Sequence, residues 1–146
     1  MTTIAEVAEL AGREQFLAVV STVRDDGSVQ ASLVNAGFLA HPLAGEQVLA
    51  FVTYGRAKLA NLRARPRLAT TFRSGWQWAT VEGTAELIGP NDPHSAVDAE
   101  GLRLLLRDIF VAAGGSHDDW DEYDRTMVAD GRAAVLVVPD RVYSNG

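Results

Sequence analysis

The chain has 146 residues, 47% of them apolar, which is enough for one compact domain with a real core and for little more. Cysteine is absent, which excludes disulfides, zinc-thiolate sites, iron-sulfur clusters and a cysteine nucleophile together. The formal charge of -6 argues against a general nucleic-acid binder, because such proteins need a net basic surface to displace counterions from phosphates.

The acidic, amphipathic start MTTIAEVAELAGREQ is unlike a signal peptide, and no run of roughly 18 apolar residues follows it, so we expect a cytoplasmic protein without a membrane span. Ile4, Val7, Leu10 and Ala11 recur at helical spacing behind the caps Thr2 and Thr3, which predicts a short helix. FLAVVSTVR (16–24) and SVQASLVNAGFLA (28–40) flank Asp25, Asp26 and Gly27 and read as a β-hairpin. Period-two alternation places Gln30, Ser32 and Val34 on one face of the second strand, with Ala31, Leu33 and Asn35 on the other.

VLAFVT (48–53) is a third strand, and in YGRAKLANLRARP the period changes to that of a short helix ending near Pro66. RLATTF (67–72) and WQWATVEGTAELI (76–88) form a second hairpin about Ser74 and Gly75. Asp92 and Pro93 read as the start of a helix carrying Leu102, Leu105, Leu106, Ile109 and Phe110, and Ser116 as the start of another that Gly131 ends. AAVLVVP (133–139) is a last apolar strand, with RVYSNG as a polar tail. Strands that are mostly consecutive suggest a closed six-stranded antiparallel barrel, mainly β with α, with the helices outside and residues 1–146 as a single domain.

His41, His94 and His117 lack metal-ligand spacing and are read as surface residues. The acids at 118–124 lack the glycine and glutamate of a calcium loop and read as a solvated helix start, so no metal site is expected. No GxSxG elbow, P-loop or GxGxxG fingerprint is present. What remains is the basic stretch between Glu46 and Glu82, which holds Arg56, Lys58, Arg63, Arg65, Arg67 and Arg73 and no acid. Lys58 is the single lysine among 13 basic residues. It stands at the strand-to-helix turn TYGRAKLAN (53–61), where free backbone N–H groups, a helix dipole, Arg56 and Lys58 together suit a phosphate. A solvated basic helix face is the alternative reading of the same stretch.

FVTYGRAKLANLRARPRLATTF (51–72), followed by TVEGTAEL (80–87), resembles the pyridoxamine-phosphate-oxidase-like split β-barrel superfamily. SLVNAGF (32–38) is similar to that family's flavin-lining strand. The resemblance implies Arg56 and Lys58 on a cofactor phosphate with Thr53 and Asn61 nearby, Ser32, Val34 and Asn35 beside the ring, and Trp78 turned toward the cofactor. It also implies a homodimer with the cofactor at the subunit interface and a small-molecule substrate. The RVYSNG end lacks the arginine-tryptophan substrate motif of true pyridoxamine-phosphate oxidases. The short chain, the arginines beyond Lys58 and the actinobacterial-looking Ala/Arg/Asp/Gly composition resemble the branch using the deazaflavin coenzyme F420, whose anionic tail Arg63, Arg65 and Arg67 are placed to meet. The expected activity is hydride transfer from reduced F420 to an electron-poor double bond, with no catalytic side chain assigned. An FMN-dependent oxidoreductase and a carrier of flavin, deazaflavin or haem are the alternatives.

Overall fold

The computed structural model describes residues 1–146 as four helices and six strands. In chain order these are α1 (Ile4–Gly12), β1 (Leu17–Val23), β2 (Val29–Ala40), β3 (Gln47–Thr53), α2 (Arg56–Ala64), β4 (Arg67–Ser74), β5 (Gln77–Ile88), α3 (Ala99–Ala112), α4 (Trp120–Asp130) and β6 (Ala133–Ser144). Neighbouring strands are antiparallel, and the order β1, β2, β3, β6, β5, β4 closes on itself. The fold is the six-stranded barrel with outer helices that the sequence predicts.

Two apolar cores explain two kinds of strand. Val20, Leu49, Phe51, Phe72, Val81 and Val135 fill the barrel, where α1 and α2 close it with Val7, Leu10, Leu59 and Leu62. Val48, Ala50, Ala134 and Leu136 point the other way, under Leu105, Leu106 and Ile109 of α3 and Tyr123 and Met127 of α4. With both faces covered, β3 and the first half of β6 read as unbroken apolar runs. On β1, on the β1-paired half of β2 and at the start of β5, Leu17, Val19, Leu33 and Trp78 stand exposed.

Close backbone approach needs glycine at two places. A Cβ at Gly37 on β2 would lie 2.4 Å from the carbonyl carbon of Ala112, so glycine is what lets the end of α3 rest on the strand. A Cβ at Gly83 would lie 2.2 Å from the Val138 carbonyl oxygen, at the bulge between Glu82 and Gly83 where β5 and β6 shift register.

Four expectations are corrected. Asp92 caps no helix: its carboxylate takes Arg63 at 2.8 and 2.7 Å, residues 89–98 form the small bridges Gly89↔Asp92 and His94↔Val97, and α3 starts at Ala99. Its cap is Asp98, which accepts from Gly101 N at 2.8 Å. Ser116 does not open α4, because the His117 ring accepts from Asp119 N at 3.0 Å and holds a turn, leaving Asp119 as the cap. The end of the chain is no tail: Val142, Tyr143 and Ser144 pair with Val81, Thr80 and Ala79 to complete β6. Lastly, His41 is buried, with Nδ1 accepting from Leu43 N and Ala44 N at 3.1 Å and Nε2 3.2 Å from Glu86.

Candidate functional site

The site begins where β2 changes partner. Val29 to Asn35 pair with β1, whereas Ala36 to Ala40 pair with β3, so the barrel opens beside Leu33, Val34 and Asn35. The last residues of β3, Val52 and Thr53, have no β2 partner and pair only with Ala134 and Ala133 of β6. A cleft of about 670 Å³ occupies this divergence. It is lined by Leu33 to Asn35 of β2, by Val52 to Gly55, by Lys58, by Ile109 and Phe110 of α3 and Ala113 at its end, and by Tyr123, Met127 and Arg132.

At one end lies the strand-to-helix turn. Gly55 caps α2 without a side-chain hydrogen bond, so first-turn N–H groups remain available, and no acid stands in that turn. Lys58 is only 6% exposed, yet it faces no carboxylate. Its Nζ donates to Thr53 Oγ1 at 3.3 Å and lies 5.7 Å from the centre of the Phe51 ring. Burial holds the Lys58 ammonium below its ordinary pKa of 10.5. Thr53 Oγ1 also accepts from Gly55 N at 3.2 Å, which leaves its own hydrogen free to donate. A buried cation beside unsatisfied N–H donors is matched by an anion, and the residues present fit a phosphate.

The other end is aromatic and apolar. Phe110 and Tyr123 lie 5.0 Å apart between ring centres, backed by Trp120 at 6.1 and 5.3 Å. Tyr123 donates its hydroxyl to Leu106 O at 2.9 Å, and burial pushes its pKa up to about 12. Arg107 and Arg103 both reach Asp124 and hold α4 against α3. The ionisable groups of the lining are Tyr54, Lys58, Tyr123 and Arg132, so neither a carboxylate nor a histidine faces the cleft. Such a lining binds and orients a ring better than it moves protons.

Of the residues singled out in the sequence, Val34, Asn35, Thr53 and Lys58 line this cleft together. Asn35 donates to Gln15 O at 2.9 Å, fixing the turn in which Gln15 and Phe16 adopt φ of 58° and 59°. Arg56 is exposed at the start of α2. Ser32 stands apart from the cleft, its Oγ buried without a hydrogen-bond partner. Asn61 donates to Thr22 Oγ1 at 3.1 Å inside the fold and ties α2 to β1. Trp78 lines a separate hollow of about 310 Å³ with Leu17, Val19 and Leu33, and Leu33 is common to both.

The arginine track expected beyond Lys58 is already neutralised. Arg63 pairs with Asp92 at 2.7 Å, Arg65 with Asp25 at 3.0 Å, and Arg67 with Asp140 at 2.7 Å. In their place the cleft contains Tyr54 and Arg132, which the sequence reading did not single out. Tyr54 lies within the quoted turn, but Arg132 follows the helix-ending Gly131 and has no local motif. Only the pairing of Thr53 with Ala133 brings it to the turn.

A sequence model of the pyridoxamine 5'-phosphate oxidase family matches residues 4–145. Solved structures share the fold at low identity. A conserved hypothetical protein from Mycobacterium tuberculosis superposes with a TM-score of 0.69 at 19% identity, covering 99% of this chain and 84% of that one. An F420 reductase gives 0.62 at 18% identity, with 98% of each chain covered. A pyridoxamine 5'-phosphate oxidase-related, FMN-binding protein from Nostoc punctiforme gives 0.60 at 17% identity, covering 99% and 86%.

Proposed function

The chain belongs to the pyridoxamine 5'-phosphate oxidase family, and within it we propose that this protein is an oxidoreductase that binds a flavin-type cofactor in the cleft, with F420 as that cofactor. The observation that carries the reading is Lys58, a buried ammonium with no acidic partner at a helix start. Lys58, Thr53 and the first-turn N–H groups of α2 hold the phosphate. Val34 and Asn35 flank the ring, and Phe110, Ile109 and Met127 shut water out on its far side. When bound, a reduced deazaflavin supplies a hydride to an electron-poor double bond of a small organic substrate. The protein's share is alignment, which agrees with a lining that has no carboxylate or histidine.

The similarity in length and fold to an F420 reductase supports the choice of F420. FMN is the second reading, and the ion-paired state of Arg63, Arg65 and Arg67 favours it, because FMN needs a phosphate corner and no further cations for an anionic tail. We propose a homodimer formed through β1, the β1-paired half of β2 and the start of β5, where Leu17, Val19, Leu33 and Trp78 are exposed. Leu33 belongs to both that face and the cleft, so the partner subunit stands next to the cofactor.

Spectrophotometry of reduced F420 with a panel of electron-poor alkenes tests the activity. Substrate-dependent oxidation is the expected result. Tight FMN binding without F420 binding transfers the function to the flavin, and binding of both cofactors without turnover makes the protein a carrier.

A further inference from the structure

We infer that Arg132 is a second anion-binding residue of the cleft, one that joins Lys58 on the cofactor phosphate; this rests on the cofactor reading above. Thr53 pairs with Ala133, so the residue before Ala133 falls beside the residue after Thr53 at the end of the β3–β6 ladder. Arg132 is thereby laid on Tyr54, with its guanidinium carbon 4.2 Å from the ring centre. Its Nε donates to Asp130 Oδ2 at 3.1 Å. The face of the guanidinium and its Nε are thus engaged, while the two terminal nitrogens make no hydrogen bond within the protein.

That arrangement is a fork held in place with its tips free, the geometry that meets two oxygens of one phosphate. Arg63, Arg65 and Arg67 each give a terminal nitrogen to an aspartate, whereas Arg132 meets Asp130 through Nε alone. Arg132 and Lys58 line the same cleft from different parts of the chain, one just before β6 and the other on α2. Asp130 is the acid beside the fork, and it is itself part exposed, so it orients Arg132 without filling the anion position. A cleft with two such cations selects a doubly charged phosphate, or a phosphodiester with a further acid close by, over a neutral ring.

The test compares wild-type protein, Arg132→Met and Arg132→Lys in titrations with F420, FMN, riboflavin and inorganic pyrophosphate, the last followed by thermal shift. Arg132→Met is expected to weaken F420, FMN and pyrophosphate about tenfold and to leave riboflavin, which has no phosphate, unchanged. Arg132→Lys recovers part of the loss, because it keeps the charge and loses the fork. An equal loss for riboflavin and FMN overturns the inference, since it marks a structural role, and unchanged FMN and pyrophosphate binding overturns it as well. If the wild-type protein takes pyrophosphate but no flavin or deazaflavin, the cofactor reading falls while the pyrophosphate comparison still decides the role of Arg132. If it takes none of these, both fall.

Discussion

Replacing Lys58 by methionine separates stability from binding in one variant. Lys58 is 6% exposed, and its ammonium has one hydrogen bond of 3.3 Å and faces no carboxylate. A buried charge of this kind opposes folding by several kcal/mol before its neighbours compensate, and Thr53 with the Phe51 ring recovers only a part. Lys58→Met keeps the chain length and the apolar stem, so the ligand-free protein should gain about 1 kcal/mol or more, a rise of about 2–4 °C in Tm for a chain of this size. Phosphate-bearing cofactors should bind about 10–100-fold more weakly, the worth of one charge-assisted hydrogen bond of about 1.5–3 kcal/mol. Burial lowers the folded-state pKa of Lys58 below 10.5, so between that lowered value and 10.5 the unfolded chain holds more protons. Wild-type stability therefore rises with pH through that window relative to Lys58→Met. Scanning calorimetry across alkaline pH and a fluorescence titration read both effects. A lower Tm together with unchanged cofactor affinity would refute the reasoning.

Other perturbations probe the scaffold and the boundaries of the site. Gly37→Ala brings a Cβ to within 2.4 Å of the Ala112 backbone, and should lower stability by about 1–3 kcal/mol in a denaturant melt while loosening the α3 wall of the cleft. The Tyr123 phenol, pushed up to about 12, stays protonated in the fold when an unfolded tyrosine ionises near 10, so stability falls as pH rises from 10 toward 12. Tyr123→Phe removes that dependence, together with about 1 kcal/mol from the lost bond to Leu106, and alkaline denaturation curves of the two proteins measure both. Arg65→Gln and Arg67→Gln should leave the salt dependence of cofactor binding as it is, since both side chains are paired with aspartates; a flatter salt slope in either variant would return them to the site. Leu33→Glu on the bare face should shift the sedimentation of the protein to that of a monomer, and an unchanged mass would move the subunit contact elsewhere.

Strand period and turn residues made the barrel legible. The alternation in β2 and the unbroken runs of β3 and β6 both follow from which faces are covered, and the hairpin at Gly27 has the positive φ that its Asp-Gly turn implies. The start of α3 is hidden in the sequence because Asp92 looks like a cap in isolation, whereas Arg63, remote in sequence, takes its carboxylate. The second half of β6 reads as a tail in the sequence because its polar residues sit on an outer face, where Asp140 meets Arg67 and the Tyr143 hydroxyl meets Glu82. Within the site, Thr53 and Lys58 were visible because one local turn contains them. Arg63, Arg65 and Arg67 looked like free cations because no acid is near them in sequence, and their partners Asp92, Asp25 and Asp140 arrive only through folding. Arg132 was silent for the same reason, since strand register and not spacing brings it to Tyr54.

On this reading Lys58 and its helix start hold the phosphate of a flavin-type cofactor. Titrating the purified protein with F420, FMN and riboflavin under one set of conditions tests it most directly. A phosphate-bearing cofactor should bind at about micromolar Kd or tighter, with riboflavin at least about tenfold weaker than FMN. Equal affinity for FMN and riboflavin, or no binding of F420 and FMN, would contradict it.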